Sequence, residues 1–311
     1  MAARRCGVPF VTTYHGAYRE TNAVKRFYNG VMARGDVVIA NSRYTADLIV
    51  QRYGIERGRM EAIHRGVDAR AFDPAHVDPA RVAALRQRWG VDEGRRIVLH
   101  PARLTAWKGQ PVVVAAAAEL GRAGVCPDVC VVLAGDPQGR SDYMEALRRQ
   151  AGGLGLEDRV RMVGHVEDMP AAYLASHVTV IASTEPEAFG RTAIEAAAMG
   201  CPVIATAIGA PPETVLAAPT HRKEHITGWL VPPGRPDALA GSLAEALSLP
   251  AEARAAMGAR ARRHVLANFT TESMQRRTLG VYDRLLGTAL ERRFREDTAA
   301  TFPSPISLPQ S

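Results

Sequence analysis

The sequence contains few cysteines, only three lysines and no long apolar segment among its 311 residues. Cys6, Cys126, Cys130 and Cys201 do not form the framework of a small secreted disulfide domain. No second Cys/His pair accompanies Cys126 and Cys130 at the spacing of a zinc site. This cysteine usage predicts a reducing compartment.

The apolar runs are too short to cross a membrane. The longest, residues 112–118, stops at Glu119, whereas a transmembrane helix needs about 20 apolar residues. The basic start of the chain is followed by a short apolar stretch that Pro9 interrupts, which does not match a secretion signal. We therefore expect a cytoplasmic protein with at most peripheral contact with the inner face of the cytoplasmic membrane.

Basic residues outnumber acidic residues by 39 to 32, which gives a formal net charge of +7. This excess favours an anionic partner such as a nucleotide, a nucleic acid or a lipid surface. It also fits an arginine-rich composition without functional meaning, because lysine occurs only at Lys25, Lys108 and Lys223. No helix-turn-helix, zinc-finger or RNA-recognition signature accompanies the charge, so we expect no nucleic-acid partner.

Short apolar runs alternate with helix-length stretches rich in alanine, leucine and arginine. The runs typical of buried strands are residues 36–40, 97–100, 129–134, 178–182 and 202–206. Strands that are apolar on both faces and separated by helices predict parallel βαβ units. We therefore predict an α/β protein with doubly wound sheets, and the length suggests two domains.

A polar break at residues 91–96 divides the chain. We place the first domain at residues 1–93 and the second at 94–268. Thr270 is a candidate N-cap of a C-terminal helix over 269–296 that crosses back to the first domain, and residues 297–311 are expected to form a disordered tail. The first domain is expected to be incomplete, because a doubly wound domain normally has about 100–150 residues.

A loop with two carboxylates follows the predicted strand at 178–182. The helix that begins after it would offer free N–H groups to an anion at the carboxyl edge of the sheet, where open α/β sheets bind ligands. The residues at this helix start are Phe189, Gly190, Arg191 and Thr192. Glu187 falls in the loop, and Glu195 falls in the second helical turn, where it could accept hydrogen bonds from vicinal hydroxyls. The alternative is a helix-end glutamate and a solvated one.

Two cations follow the predicted strand at 97–100. Arg103 and Lys108 lie in one loop that precedes a helix. A guanidinium binds phosphate oxygens as a fork and an ammonium acts as a point charge, so the pair suits a diphosphate. Surface charge is the alternative for either residue alone. If both loops bind one diphosphate, Arg103, Lys108 and Glu195 should share one hollow.

Together these motifs resemble a retaining glycosyltransferase of family 4, a nucleotide-sugar-dependent enzyme with two facing Rossmann-like domains, an arrangement called the GT-B fold. The similarity extends from about residue 8 to residue 290. The segments that carry it are Thr13-Tyr-His15-Gly16, Ile39-Ala-Asn41-Ser42, Gly66-Val-Asp68, Arg103 with Lys108-Gly109, Leu133-Ala-Gly135-Asp136, Gly164-His-Val166, and Glu187 to Glu195 followed by Gly200-Cys-Pro-Val203.

The resemblance implies a role for each matching side chain. Arg103 and Lys108 would clamp the donor diphosphate and support the departing phosphate. Glu187 would hold the hydroxyls of the transferred sugar, and Glu195 would hold the ribose. These roles agree with the chemistry that the residue types suggest on their own.

The resemblance also implies contacts to the base, the sugar and the phosphates. Gly164 and Val166 would line the base pocket. His15 and the adjoining Gly16 would face the donor sugar across the cleft, and a structural histidine at a strand end is the alternative. The remaining donor contacts would come from the helix start, at Phe189, Gly190, Arg191 and Thr192.

A family 4 enzyme is expected to retain the anomeric configuration by a front-face displacement, in which the leaving phosphate helps to accept the acceptor's proton. The chain has no Asp-x-Asp pair for a metal-bound sugar nucleotide, so we expect neither a metal nor a cofactor. The strand and Gly-rich loop with which family members begin are missing. We therefore predict an N-terminally truncated chain with an exposed strand edge and apolar face near residues 8–13 and 37–40. A start codon placed too late in the gene and a genuine fragment are the two alternatives.

The implied function is transfer of a sugar from a nucleotide-diphosphate-sugar to a glycan or lipid-linked acceptor, in bacterial surface polysaccharide, lipopolysaccharide-core or glycolipid synthesis. A catalytically inactive nucleotide-sugar-binding remnant and a sugar-nucleotide epimerase are the alternatives. Basic and aromatic residues at 18–28 and ten arginines between 254 and 295 could contact an anionic membrane, and a solvated helix face is the alternative.

Overall fold

The computed structural model describes residues 2–17 and 22–301. The N-terminal sheet consists of the parallel strands β1 (Val11–Tyr14), β2 (Val37–Ala40) and β3 (Met60–Ala62). They pair in the order β1-β2-β3. Within the described residues β1 pairs with β2 alone, so one side of β1 is a sheet edge, in agreement with the strand edge expected near residues 8–13. The edge expected near residues 37–40 is wrong, because β2 pairs with β1 on one side and with β3 on the other.

The second sheet has six parallel strands. They are β4 (Arg96–Pro101), β5 (Val129–Ala134), β6 (Val160–Gly164), β7 (Val178–Ile181), β8 (Val203–Thr206) and β9 (Gly228–Val231). Their order is β6-β5-β4-β7-β8-β9, so β4 and β7 are neighbours although β5 and β6 lie between them in sequence. The direction in which the chain adds strands therefore reverses between β4 and β7.

Helices connect the strands of both sheets. They are α1 (Ala2–Arg5), α2 (Ala23–Val31), α3 (Arg43–Tyr53), α4 (Pro79–Arg88), α5 (Gln110–Arg122), α6 (Ser141–Gly153), α7 (Met169–Leu174), α8 (Arg191–Ala198), α9 (Pro211–Thr214), α10 (Pro236–Ser248), α11 (Ala251–Asn268), α12 (Thr271–Leu286) and α13 (Leu290–Thr301). The predicted α/β fold with doubly wound parallel sheets is confirmed.

The second sheet is covered on both faces. Successive strand residues point to opposite faces, so β4 contributes Val98 to one apolar cluster and Leu99 to the other. Helices α5 and α10 pack together on the first of these faces. This two-sided burial explains why the central strands read as continuous apolar runs in the sequence.

The five runs predicted as buried strands correspond to β2, β4, β5, β7 and β8. The strands β3, β6 and β9 escaped prediction because each carries residues that interrupt an apolar run. Glu61 lies in β3, Arg161 in β6, and Gly228 at the start of β9. All three lie at sheet edges, where a strand does not need to be apolar on both faces.

The prediction of a single C-terminal helix over residues 269–296 is wrong, because the segment forms two helices, α12 and α13. Thr270 caps α12, since its side chain accepts a hydrogen bond from the backbone N–H of Ser273 at 3.1 Å. The helix ends at Leu286 because Gly287 adopts the left-handed conformation, with φ 65°. Residues 297–301 of the expected tail belong to α13, and residues 302–311 lie outside the described residues.

Helix α12 lies against the N-terminal sheet. Its Val281 is completely buried and packs with Ile39 of β2 and with Ile63. Arg277 donates a hydrogen bond to the carbonyl oxygen of Ala62 at 2.6 Å. A segment that follows the second sheet in sequence therefore completes the core of the first.

Candidate active site

The carboxyl ends of β4 and β7 meet where the strand order of the second sheet reverses, which is where open α/β sheets bind ligands. Two loops leave the sheet here, residues 102–109 after β4 and 182–190 after β7. A Cβ atom at Gly109 would lie only 1.9 Å from the carbonyl oxygen of Ala182. The glycine therefore permits the lysine-bearing loop to touch the glutamate-bearing loop.

A largely buried ion pair joins these two loops. Lys108 Nζ contacts Glu187 Oε1, and the two side chains are only 18% and 10% exposed. Ser183 Oγ donates a hydrogen bond to the same oxygen at 2.6 Å. Within residues 2–17 and 22–301, Glu187 Oε2 has no hydrogen-bond partner. This oxygen can therefore accept a hydrogen bond from a ligand hydroxyl.

The ion pair faces a cavity of about 200 Å³. Arg191 and Thr192, at the start of α8, line the same cavity. Gly190 precedes the helix in the left-handed conformation, with φ 82°, and no side chain caps the helix. The first N–H groups of a helix have no partner inside it, so this uncapped start together with the Lys108 ammonium suits an anion.

His100 lies near the end of β4 and lines this cavity although it is almost completely buried. Its Nδ1 lies 2.9 Å from the carbonyl oxygen of Val180, so Nδ1 carries the proton in the neutral ring. Nε2 has no hydrogen-bond partner in the described part of the chain. Burial lowers the pKa of His100 to about 4, so the ring is neutral at pH 7 and Nε2 is an acceptor.

A larger cavity of about 590 Å³ lies between the two domains. His15, Asn41 and Arg65 line it from the first domain, and Glu187 and Arg191 line it from the second. Asn41 Nδ2 donates a hydrogen bond to the His15 carbonyl oxygen at 3.0 Å, and Arg65 Nη2 contacts His15 Nδ1. Partial burial and then the charge of Arg65 lower the pKa of His15. The structure thus brings His15 and Glu187 to one cavity.

Two sequence families match this chain. The family described as "Glycosyl transferases group 1" matches residues 82–264, more than half of the chain, and "Glycosyltransferase Family 4" matches residues 1–71. The chain belongs to the family 4 glycosyltransferases. The resemblance seen in the motifs is therefore confirmed at the level of the family.

Individual relatives agree with this assignment. A D-inositol 3-phosphate glycosyltransferase of Salinispora tropica is 32% identical over 97% of this chain and 64% of its own length. A glycosyltransferase structure from Rickettsia africae is 31% identical, with a TM-score of 0.82, over 93% of this chain and 73% of that chain. The Anabaena protein Alr3699/HepE, solved with UDP-glucose, is 28% identical with a TM-score of 0.77, over 91% of this chain and 74% of that one.

These likenesses confirm the predicted GT-B fold. The chain spans about two thirds of the length of the curated relatives it matches.

Arg103 and Glu195 do not line the cavity that holds Lys108. The structure therefore does not place the three residues in the single hollow that the sequence predicted. Arg103 is exposed, and its carbonyl oxygen accepts a hydrogen bond from Gln110 at 2.8 Å. Glu195 lies one helical turn behind the cavity-lining Arg191, which forms an ion pair with it at 3.0 Å. The donor-binding roles of Arg103 and Glu195 stay predictions.

The Glu195 carboxylate, in the second turn of α8, has two side-chain partners. Tyr173 donates a hydrogen bond from its hydroxyl to Glu195 Oε2 at 3.2 Å. Burial and the neighbouring carboxylate raise the pKa of Tyr173, so its hydroxyl stays protonated and remains a donor. Glu195 is therefore held from two sides, by a buried phenol and by an exposed guanidinium.

The other predicted donor contacts lie at two separate places. Gly164 ends β6 in the left-handed conformation, with φ 72°, and Val166 beyond it is buried in the apolar core. Val166 lines a groove on the β6 side of the sheet rather than the cavity of Lys108. Gly16 directly follows His15 and is half-buried.

The Phe189 ring is buried between the domains, with its centroid 6.1 Å from that of Phe269. Its side chain packs in an apolar cluster, and Phe189 also lines the interdomain cavity, so its contact with a donor stays a prediction.

Within residues 2–17 and 22–301 the structure contains neither a cluster of metal ligands nor a helix that could span a membrane. No group of three or more His, Cys, Asp or Glu side chains there could hold a metal ion. None of the described helices combines the length and the apolar composition that a membrane crossing requires.

The two basic segments, residues 18–28 and the arginine-rich residues 254–295, differ in the surroundings of their side chains. Residues 18–21 of the predicted 18–28 segment lie outside the described residues, and α2 behind them exposes Val24, Phe27 and Tyr28. In the C-terminal segment, Arg262 pairs with Asp73 at 3.1 Å, and Arg284 pairs with Glu61 at 3.0 Å. These arginines bind the protein itself.

Proposed function

We propose that this protein transfers a sugar from a nucleotide-diphosphate-sugar donor to a glycan or lipid-linked acceptor, with retention of the anomeric configuration. The observation that carries the proposal is the buried Lys108–Glu187 pair beside the uncapped start of α8, with His15 lining the adjoining cleft. A cation and free helix N–H groups suit the diphosphate, and a carboxylate oxygen without a partner suits a sugar hydroxyl.

The relatives support the nucleotide-sugar donor. The Anabaena protein was solved with UDP, with UDP and glucose, and with UDP-glucose. The curated relatives are named as D-inositol 3-phosphate glycosyltransferases. By analogy we propose a uridine nucleotide as the first donor to test, and a hydroxylated acceptor that enters the cavity between the domains.

The proposed reaction needs no protein nucleophile. The bond between the anomeric carbon and the diphosphate oxygen breaks, and a bond to the acceptor oxygen forms on the same face of the sugar. The acceptor's proton passes to the departing phosphate oxygen. Lys108 and the helix start stabilise the charge that develops on the leaving group, while Glu187 orients the sugar. We propose that the reaction requires no metal, because the sequence lacks an Asp-x-Asp pair.

The test is a transfer assay with UDP-glucose and a panel of hydroxylated acceptors, with products analysed by NMR. The proposal expects an α-linked product from the α-configured donor, in the presence and in the absence of EDTA. An inverted product contradicts the retaining mechanism, and a product formed without any acceptor identifies an epimerase. Binding of UDP without hydrolysis or transfer identifies an inactive nucleotide-sugar-binding protein.

We propose further that the acceptor belongs to bacterial surface polysaccharide, lipopolysaccharide-core or glycolipid synthesis, and that α2 contacts an anionic membrane. Exposed Val24, Phe27 and Tyr28 on α2 stand beside Lys25 and Arg26, the combination that inserts into a charged lipid interface. Sedimentation with phosphatidylglycerol vesicles, but not with phosphatidylcholine vesicles, is the expected result. Equal sedimentation with both, or with neither, contradicts this contact.

A further inference from the structure

The start of α3, in the first domain, lies against the second domain. Ser42 caps α3, and its Oγ accepts a hydrogen bond from the backbone N–H of Thr45 at 3.0 Å. Both side chains are completely buried. Helix starts leave N–H groups without intrahelical partners, and a buried helix start needs partners from elsewhere. At α3 these partners come from the opposite domain.

Glu213, on α9 of the second domain, supplies them. Its carboxylate accepts hydrogen bonds from the backbone N–H groups of Tyr44 at 2.7 Å and Arg43 at 2.9 Å. His64 Nε2 lies 2.7 Å from the same carboxylate. Burial alone would raise the pKa of Glu213, but the hydrogen bonds from His64 and from the α3 backbone outweigh it and lower the pKa. Glu213 is thus a carboxylate that caps a helix of the other domain.

A second contact joins α3 to the loop that carries Glu187. Ser42 Oγ donates a hydrogen bond to the carbonyl oxygen of Ala188 at 2.6 Å, and Thr45 Oγ1 donates one to the same oxygen at 3.1 Å. Ala188 directly follows Glu187, whose carboxylate contacts Lys108. The position of the Glu187 carboxylate in the cavity therefore depends on where α3 holds Ala188.

The two contacts form one unit, because the Glu187 backbone also connects to the segment that leads into α9. The backbone N–H of Ala210 donates to the Glu187 carbonyl oxygen at 2.9 Å. A Cβ at Gly209 would lie 2.3 Å from that carbonyl oxygen, so only glycine permits this approach. The loop at 187–190 is therefore held between α9 and α3.

We propose that Glu213 is a positioning residue that fixes the Glu187 loop for catalysis by capping α3 from across the domain boundary. The inference rests on the proposed sugar transfer for its kinetic consequence. Without the carboxylate, the N–H groups of Arg43 and Tyr44 lose their partner and α3 can move away from Ala188. A displacement of about 1 Å in a positioned group can cost about 100-fold in rate, without any loss of ground-state binding groups.

The test compares Glu213→Gln with Asp283→Asn. Asp283 is the matched control, because its carboxylate accepts the backbone N–H groups of Leu290 and Glu291 at 2.7 and 2.9 Å, at the start of α13 and outside the cleft. We expect Glu213→Gln to lower kcat about tenfold or more, while KM for the donor and the Kd for UDP change by about twofold or less. We expect Asp283→Asn to lower the melting temperature with kcat unchanged within about twofold.

A distance measurement reads the position of α3 independently of activity. Nitroxide labels on cysteines introduced at the exposed positions Gln51 on α3 and Ala146 on α6, in a background that also carries Cys6→Ser and Cys126→Ser, report the separation of the domains by pulsed electron paramagnetic resonance. We expect a broader distance distribution in Glu213→Gln than in the parent protein, and no broadening in Asp283→Asn. Thr45→Val removes the hydroxyl that donates to Ala188 and keeps a side chain of similar volume. We expect it to broaden the distance distribution less than Glu213→Gln does.

The two proposals fail in different ways. If the parent protein neither binds UDP nor transfers sugar, the proposed function fails, and the distance measurement still decides on Glu213. An unchanged distance distribution in Glu213→Gln overturns the positioning role. Equal loss of kcat in Glu213→Gln and Asp283→Asn also overturns it, because the effect then follows stability alone. If Glu213→Gln does not fold, Thr45→Val decides: an unchanged distance distribution and kcat overturn the proposal.

Discussion

Every residue of β5 in the second sheet is buried, whereas β1 in the first sheet has a single buried residue, Tyr14. The second sheet has apolar clusters on both faces, built from its own strands and from the helices between them. In the first sheet, one face is completed by Val281 of α12, which follows the second domain in sequence. The first domain therefore depends on the C-terminal segment that follows the second domain for part of its core.

The candidate active site shows the same asymmetry. The second domain supplies Lys108, Glu187 and the start of α8, whereas the first supplies His15 and the helix start that Glu213 caps. We therefore expect the second domain to govern donor binding and overall stability. We expect the first domain to govern transfer.

The largest expected effect is that of Lys108→Ala in the second domain. The substitution removes the cation that we propose for the donor diphosphate and leaves the buried Glu187 carboxylate without its ion-pair partner. We expect kcat/KM to fall about 1000-fold, which corresponds to about 4 kcal/mol, together with weaker UDP binding. Steady-state kinetics and calorimetric titration with UDP measure the two effects. Retention of UDP affinity would remove Lys108 from the donor site.

The second largest expected effect is that of acid, which should lower the free energy of unfolding of the second domain. Burial lowers the pKa of His100 to about 4 and that of His177 to about 4, whereas an unfolded histidine titrates near 6.5. Between these values the unfolded chain binds protons that the folded chain does not, so the free energy of unfolding falls as pH decreases from about 6.5 to about 4.

The loss from His100 is about 3 kcal/mol. Urea titrations at a series of pH values should show it, and His100→Asn should be less sensitive to acid than the parent. Equal acid sensitivity in the two proteins would argue against a neutral buried His100.

Gly109→Ala tests the contact between the loop that carries Lys108 and the loop that carries Glu187. Gly109 and Gly139 both have positive φ, 78° and 75°, but only Gly109 has backbone within 4 Å of a Cβ position. The strain of the left-handed conformation is therefore common to both alanine variants, and the collision with Ala182 is specific to one. We expect Gly109→Ala to cost about 2 kcal/mol more in unfolding free energy than Gly139→Ala. Equal costs would show that the loops do not touch.

The smallest expected effect on the reaction is that of His15→Ala, a substitution in the first domain. His15 lines the interdomain cavity and does not line the cavity of Lys108. We expect kcat/KM to fall about tenfold, or about 1.4 kcal/mol, with the Kd for UDP unchanged within about twofold. A parallel loss of UDP affinity would place His15 at the diphosphate and blur the division between the domains.

The sequence was informative where one residue type answers one physical demand. Lys108 and Glu187 follow buried strands, and the carboxyl ends of parallel strands meet at one edge, so their convergence could be predicted from the pattern. Glu213 could not be predicted in this way, because its partners in α3 are about 170 residues away and on another domain. The role of His100 was also hidden, since a histidine within an apolar run shows neither its tautomer nor its missing partner.

The Lys108 ammonium lies 4.1 Å from the centroid of the Trp107 ring. Trp107 and Trp229 belong to the second domain, and Trp89, near the end of the first, packs in an apolar cluster of the second sheet. An anion that draws the ammonium away from the indole changes the electric field at the ring and hence its emission. We therefore expect the emission of Trp107 to report whether the site is occupied, without a label.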